Sequence, residues 1–488
     1  MNRTPPGSGP SRRTLIGAAL GGAGALLTGG LAGCAAEPAA VPRYHGGDVW
    51  RRFAGTTINF VSENTAPTAA IAANTAPFTE LTGITVRIVS LDLASEVQRV
   101  ALDLAGGQSQ YHVIYADPYQ VLAPYHKGLV DLREFIDKPG YPELTGGLDD
   151  FVDVQLDATG RFGHDGAVYA LPYDCPTMVW QYRRDIFDKH HDRMADALGF
   201  DPTPGADRTW EQYLAIASWI NQHADEVPYG TGHQAKQHDS LMCDFSNVLW
   251  AYGGDYFAHG AEVGRLGAVD PGGCRLDSPA AHTAAELYGR LLAAAHPGSR
   301  TWDWDGVGAA LRSGQIAMTP NWHEYAAANE QAMPGKFGYA PLPRGPRRNA
   351  HMFGGTGIGI SANAGGAERG AAWLFVNWAT APDTQLANLK SKVGGGTPTR
   401  GSVYRRPEVR RAQHRPSTMP NILTEPAVRT AWRSDDIGLR PKIPMWNECD
   451  TAIFTELSTM IVGDQGPSDA MRNARTRIDR AVSRGWSA

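Results

Sequence analysis

Acidic and amide side chains that directly follow short β-branched segments are well placed to hold a small molecule. Residues 57–61 form such a segment and lead into Glu63 and Asn64, and residues 112–115 lead into Asp117. In open α/β sheets, ligands bind beyond the carboxyl ends of the strands. The pattern therefore predicts that Glu63, Asn64 and Asp117 lie at a binding site.

Tryptophan is abundant, with 13 residues, and one of them has an unusual setting. Trp322 comes just after a predicted buried strand, residues 315–319, and has amide and acidic neighbours. A sugar ring suits such a setting, because its C–H faces stack on indole while its hydroxyls bond to polar groups. Core packing is an equal alternative for Trp322, whereas Trp219 and Trp373 lie within predicted helices and are expected in the core.

Signatures of nucleotide binding, catalysis and metal binding do not occur in the sequence. The glycine-rich residues 354–359 and 394–396 are not followed by Gly-Lys-Ser/Thr, and residues 357–359 lack the third glycine of a dinucleotide fingerprint. Neither a nucleophile elbow nor a His-Glu-x-x-His motif is found. Solvated loops are favoured over metal sites for the histidines. We expect no catalytic residue, no metal and no cofactor.

The elements that position these residues alternate between strand and helix. Three predicted strands near residues 57–61, 84–89 and 112–115 are separated by helical patterns. This order predicts an α/β fold with a parallel sheet and helices on both faces. Thr209 and Ser278 are predicted N-caps of later helices.

Composition bounds the class of protein. The chain has 488 residues, a formal net charge of −5, 42% hydrophobic and 19% charged residues, which is typical of a globular protein. The length suggests two to four compact units, at ~100–200 residues each. A mildly acidic balance argues against nucleic acid as a partner, and the sequence beyond the N-terminus has no run long enough to predict a membrane span.

The N-terminus carries export signals. Arg12 and Arg13 precede the uncharged residues 15–32, and Cys34 follows in what looks like a lipobox. We predict a twin-arginine lipoprotein signal peptide at residues 1–33 and a lipid-anchored tether at residues 34–55, with Cys34 lipidated on the outer face of the cell membrane. An ordinary transmembrane anchor is the alternative. The remaining cysteines could form one or two disulfides or stay as buried thiols: Cys175, Cys243, Cys274 and Cys449.

Several short motifs occur in an order that resembles a known family. They lie at residues 113–117, 168–173, 180–187, 251–255, 314–322, 337–343, 354–355 and 395–400. Together with the lipobox, they resemble the extracellular sugar-binding lipoproteins of bacterial ABC importers, which include maltose- and trehalose-binding proteins. The resemblance spans about residues 56–485.

The resemblance implies a two-lobed α/β fold of the periplasmic-binding-protein type, with a ligand cleft between the lobes. It implies a hinge near Tyr173 and Phe353. The first lobe would comprise residues 56–173 and 354–430, and the second residues 174–353 and 431–488.

Ligand contacts also follow from the resemblance. Glu63, Asn64 and Asp117 would hold sugar hydroxyls from the first lobe. Trehalose-binding relatives carry an amide at the position of Pro176, and the nearby Asp174 would replace its contact. The other positions that match ligand contacts in relatives are Asp239, Trp322, Gly355, Arg400 and Trp446.

The resulting hypothesis is a monomeric, lipid-anchored receptor that delivers a carbohydrate or related polyol to an ABC permease. The particular sugar is left open. A secreted glycoside-active enzyme that uses two of the same carboxylates is the alternative, and a sensor or adhesin that binds without transport is a third class.

Overall fold

A computed structural model describes residues 47–485 of the chain, apart from residue 394, residues 413–418, residues 420–421 and residue 423. Two sheets and a short strand pair organise this part of the chain. The first sheet contains β1 (Thr57–Glu63), β2 (Thr85–Leu91), β3 (Val113–Ala116), β4 (Ala170–Asp174) and β10 (Thr356–Ile360). The second contains β5 (Met178–Arg183), β6 (Tyr229–Thr231), β7 (Ile316–Trp322) and β8 (Phe337–Ala340). The pair consists of β9 (His351–Met352) and β11 (Ile437–Gly438).

Helices surround both sheets. In the first part of the chain they are α1 (Gly47–Trp50), α2 (Ala66–Ala73), α3 (Ala76–Thr82), α4 (Leu93–Ala105), α5 (Ala123–Tyr125), α6 (Asp153–Gly160), α7 (Arg184–Leu198), α8 (Trp210–His223), α9 (Asp239–Ala251), α10 (Gly260–Leu266) and α11 (Pro279–Ala294). In the second part they are α12 (Trp304–Arg312), α13 (Ala326–Ala332), α14 (Gly366–Ala379), α15 (Pro382–Leu389), α16 (Gly401–Tyr404), α17 (Pro407–Ala412), α18 (Glu425–Ala431), α19 (Trp446–Val462) and α20 (Pro467–Gly485). None of the helices in the described residues has the length and apolar run that crossing a membrane needs.

The first sheet has the strand order β2-β1-β3-β10-β4. β1 pairs in parallel with β2 and with β3, as the alternation of strands and helices predicts. β10, for which the sequence predicted no direction, runs antiparallel to both of its neighbours, β3 and β4, so the sheet as a whole is mixed. The α/β class itself is confirmed.

Local sequence signals explain where several helices begin. The Thr209 side chain accepts from the Gln212 amide and forms a capping box, and the Ser278 side chain accepts from the Ala281 amide. Both predicted N-caps are therefore confirmed. Trp219 and Trp373 are buried, as predicted for tryptophans within helices.

Two chain segments cross from one sheet to the other, and they lie side by side. One joins β4 to β5 and the other leads from β9 to β10. The Gly354 amide donates to the Pro176 carbonyl at 2.8 Å, and Thr177 forms an isolated antiparallel β-bridge with Phe353. A Cβ atom on Gly354 would lie 2.9 Å from the Trp322 ring, so only glycine allows this close approach.

The four cysteines in the described part of the chain are free and buried: Cys175, Cys243, Cys274 and Cys449. Of the two alternatives from the sequence, this arrangement corresponds to buried thiols. Cys34 lies outside the described residues.

Candidate functional site

A cavity of about 1100 Å³ lies between the two sheets. Its walls come from the ends of β1, β3 and β4 on one side and from the end of β7 on the other. Six residues that the sequence assigns to a binding site line it: Glu63, Asn64, Asp117, Asp174, Asp239 and Trp322. Pro176 lines it too.

Strand register brings the first-sheet residues together. Phe60 pairs with Val113, so the carboxyl ends of β1 and β3 reach the same edge of the sheet. Glu63 is the last residue of β1, and Asp117 follows β3 directly. The arrangement agrees with the rule that ligand-binding side chains gather at this edge.

Asp117 is held in place by the turn that follows it. Its Oδ1 accepts from the amides of Tyr119 at 2.9 Å and Gln120 at 2.8 Å, which begin a π-helical turn. Its Oδ2 lies 3.4 Å from the Arg440 guanidinium. Burial raises the pKa of Asp117, although Arg440 and the two amides act against that shift.

Arg440 links residues on the two sides of the cavity. Its Nη2 faces Asp117, its Nη1 lies 3.4 Å from Asp239 Oδ1 at the start of α9, and its guanidinium carbon lies 4.1 Å from the centre of the Tyr119 ring. Behind Asp239, burial and the Asp239 charge raise the pKa of Asp450 well above its usual range. Arg440 therefore neutralises a buried group of carboxylates.

Three further carboxyl groups line the cavity close to one another, and we call Glu63, Asp174 and Glu324 the carboxyl triad. Burial, with the charges of Asp117, Asp174 and Asp239, raises the pKa of Glu63 to about 8. Burial raises the pKa of Asp174 to about 6. Burial and the neighbouring Asp174 raise the pKa of Glu324 well above its usual range. The triad therefore carries protons at neutral pH when no ligand is bound.

Aromatic side chains form the rest of the wall. Trp322 ends β7, and its backbone carbonyl accepts from the Gln181 side chain. Its side chain is only 8% exposed, so it lines the cavity and packs against the protein at the same time. Trp304 and Tyr325 also line the cavity, and the Tyr325 hydroxyl donates to Asp305 at 2.5 Å.

Three predicted residues do not line the cavity. Arg400 is fully buried, and its guanidinium lies 3.5 Å from the centre of the Phe151 ring and donates to the Thr380 carbonyl at 2.9 Å. Burial lowers the pKa of Arg400 to about 9. The structure thus places Arg400 inside the protein and outside the residues that line the cavity, and its bond to sugar hydroxyls stays a prediction.

Trp446 and Gly355 also lie away from the cavity lining, and their ligand contacts stay predictions. Trp446 begins α19 and is fully buried, with its ring edge-on to Tyr256 at 5.5 Å between centroids. Gly355 follows the cavity-lining Gly354, but a Cβ atom there would meet the Phe353 ring at 2.1 Å. Neither residue lies on the cavity wall.

Several lining residues were not predicted from the sequence. Glu324 had a signal, because it follows Trp322 by two residues and shares its setting. Arg440 had none, because it lies in the connection between β11 and α19 and meets its partners only in the folded chain. The other lining residues outside the prediction include Tyr115, Trp304, Asp305, Tyr325, Glu330, Thr356, Lys390 and Lys392.

Metal ligation is not indicated at this site. Among the described residues, no three or more His, Cys, Asp or Glu side chains are grouped so that they could hold a metal ion. The cavity instead offers carboxylates, one buried guanidinium and aromatic faces. Such a set can bind a hydroxylated solute by hydrogen bonds and stacking.

Comparison with known families and proteins agrees with this geometry. A family described as bacterial extracellular solute-binding protein matches residues 73–417. A probable amino-acid ABC transporter periplasmic-binding protein of Sinorhizobium fredii is 25% identical, over 97% of this chain and 98% of its own length. An erythritol/L-threitol-binding protein of Mycolicibacterium smegmatis is 23% identical, over 81% of this chain and 82% of its own.

Solved structures share the fold. Maltose-bound MalE3 of T. maritima has a TM-score of 0.71 and 22% identity, covering 87% of this chain and 99% of its own. A solute-binding protein of Agrobacterium radiobacter in complex with ribitol has a TM-score of 0.69 and 21% identity. The match covers 87% of this chain and 98% of the ribitol-binding protein. The chain therefore has the two-lobed α/β fold of these binding proteins.

Proposed function

The chain belongs to the bacterial extracellular solute-binding proteins, and we propose that it is the receptor of an ABC importer for a carbohydrate or related polyol. Its relatives include a protein named for erythritol and L-threitol, and its structural neighbours were solved with maltose and ribitol. These ligands share several hydroxyl groups and differ in size. The proposal therefore specifies hydroxylated solutes rather than one sugar.

One observation carries the proposal: carboxylates and an indole face the same cavity from opposite sides. Glu63 and Asp117 lie at the edge of the first sheet, and Trp322 ends a strand of the second. Sugar and polyol hydroxyls can donate to the carboxylates while C–H groups stack on Trp322. A volume of about 1100 Å³ accommodates a ligand as large as a disaccharide.

Capture is proposed to occur by closure of two lobes around the solute. The lobes would be residues 56–173 and 354–430, and residues 174–353 and 431–488. The neighbouring crossing segments, which contain Pro176 and Gly354, support a hinge because a small rotation about both would open the cavity. A solute that contacts both lobes favours the closed state and shifts the population towards it.

Calorimetric titration tests the proposal. The purified protein is titrated with maltose, ribitol, D-mannitol, D-tagatose and erythritol. We expect saturable binding of at least one compound with one site per chain. Failure of all hydroxylated compounds to bind would contradict the proposed function.

The receptor is further proposed to act as a lipid-anchored monomer at the outer face of the membrane, next to its permease. Cys34 after the uncharged residues 15–32 supports the anchor. Replacing Cys34 by alanine is expected to move the protein from the membrane fraction to the soluble fraction, because the thioether to the lipid can no longer form. Immunoblots of fractionated cells measure the change, with Cys175→Ala as a control that should stay in the membrane fraction. A Cys34→Ala protein that still pellets with membranes would contradict the anchor.

Binding is proposed to occur without a chemical reaction. Two carboxyl groups of the triad, Asp174 and Glu324, resemble the carboxyl pair of a glycosidase. The relatives of this chain, however, are named as binding proteins. We expect chromatographic analysis to detect no product after prolonged incubation of the protein with maltose. Product formation that follows the folded protein through purification, and is lost in Glu324→Gln, would establish the enzyme alternative.

A further inference from the structure

The carboxyl triad lacks a cationic partner. Asp174 is fully buried, and no cation among the described residues pairs with its carboxylate, whose interacting neighbours are the Glu324 carboxyl and the Cys175 amide. The Glu324 Oε1 atom is buried and has no hydrogen-bond partner within the described part of the chain. Buried polar groups are normally hydrogen-bonded, and an exception calls for an explanation. Because both side chains line the cavity, the missing partner fits a ligand group.

Of the three cations that line the cavity, Arg440 and Lys390 pair with carboxylates outside the triad. Arg440 lies between Asp117 and Asp239. Lys390 is exposed and pairs with Glu408 at 2.7 Å, and Lys392 is exposed. Among the described residues, no Lys or Arg forms an ion pair with the triad. This part of the cavity therefore has an excess of negative charge once its carboxyl groups ionise.

We infer that the solute carries a positively charged amino group together with its hydroxyls, as in an amino sugar or an amino polyol, and that this group binds at the carboxyl triad. The inference rests on the proposed function and narrows its solute class. An ammonium group supplies three N–H donors and one charge to a place that has unpartnered acceptors and an excess of negative charge.

Aromatic residues near the triad favour the same ligand group. Trp322 precedes Glu324 by two residues, and Tyr325 follows it directly. A cation within ~6 Å of an indole or phenol face is attracted by the ring quadrupole. A neutral hydroxyl would gain one hydrogen bond here and would leave the triad protonated, without the charge attraction that an ammonium group adds.

Proton release should accompany the binding of an amine. A bound ammonium group lowers the pKa of Glu63, which is about 8 in the free protein, and that of Asp174, which is about 6. Affinity for the amine should therefore rise between about pH 6 and pH 8, because fewer protons need to be displaced. The groups that face these two carboxyls are Glu96, Tyr115, Asp117, Tyr173, Cys175, Asp239, Glu324, Tyr325 and Arg440.

Matched probes test the inference. The protein is titrated calorimetrically with 1-amino-1-deoxy-D-glucitol and D-glucitol, and with D-glucosamine and D-glucose, in phosphate and in Tris buffer at two pH values. A primary alkyl ammonium stays charged below pH ~10, so the pH dependence of the first pair reports on the protein. We expect the amine of each pair to bind at least roughly tenfold more tightly and to release protons.

Variants locate the effect. Asp174→Asn and Glu324→Gln should each reduce the preference for the amine to less than about threefold, since each removes a carboxyl group that would pair with the bound ammonium group. Asp188→Asn, which removes a charge from an exposed position of α7, should leave the preference unchanged. If one triad variant fails to fold, the other variant still measures the contribution of the triad to the preference for the amine.

The outcomes separate this inference from the proposed function. Equal or tighter binding of the neutral compounds, or binding of maltose or ribitol without binding of either amine, overturns the inference and leaves the proposed function intact. A preference for the amine that persists in both triad variants also overturns it. If none of the compounds binds, the inference and the proposed function fail together.

Discussion

Replacing Arg440 by methionine is expected to lower the free energy of unfolding by ~3–5 kcal/mol, since removal of one partner leaves buried charges uncompensated. Asp117 and Asp239 would lose the guanidinium that lies 3.4 Å from each of them. Solute affinity should fall as well, because Asp117, without the Arg440 charge that opposes its raised pKa, would take up a proton instead of accepting from the ligand. Urea denaturation measures the stability and calorimetry the affinity.

A surface pair provides the matched control. Arg475 lies 3.2 Å from Asp277, and its side chain is 46% exposed. Arg475→Met should change the stability by less than ~1 kcal/mol, because exposed ion pairs contribute little. In the Arg440→Met protein, a second change of Asp239 to Asn should recover part of the lost stability. If Arg440→Met unfolds at the same urea concentration as the wild type, Arg440 does not neutralise these carboxylates.

Trp322→Ala is expected to weaken binding of the best solute by roughly tenfold or more, because the stacking face of the cavity is lost. Because Trp322 is only 8% exposed, it should also contribute ~3–5 kcal/mol to folding, as buried aromatic residues do. Affinity is therefore measured at a temperature at which the variant is folded.

Trp302→Ala separates the two effects. Trp302 stacks on His296 at 4.7 Å between ring centroids and does not belong to the cavity wall. Its replacement should reduce stability and leave the affinity unchanged. A Trp322→Ala protein that behaves like Trp302→Ala would assign Trp322 to the core alone.

Much of the fold could be predicted because its signals are local. The alternation of strands and helices predicted the parallel pairing of β1 with β2 and β3. The side chains of Thr209 and Ser278 predicted where two helices begin. The place of β10 could not be predicted in this way. Gly357 pairs with Ala116, and no local pattern specifies a partner so distant in the sequence.

Site residues could be predicted where they lie at or just after the end of a strand, as Glu63 and Asp117 do. They could not be predicted where a side chain contacts residues that are distant in the sequence. Arg440 meets Asp239 across 201 residues and Asp117 across 323. Arg400 and Trp446 show the converse problem, since an Arg or Trp that packs inside the protein has the same residue type as one that binds a ligand.

A crystal structure of the protein with the tightest-binding compound of the titrations tests the central claim most directly. The account predicts electron density for the compound in the cavity between the two sheets. Its hydroxyls should lie within hydrogen-bond distance of Glu63 or Asp117, and a C–H face should lie on Trp322. A compound bound outside this cavity, with these residues uncontacted, would contradict the account.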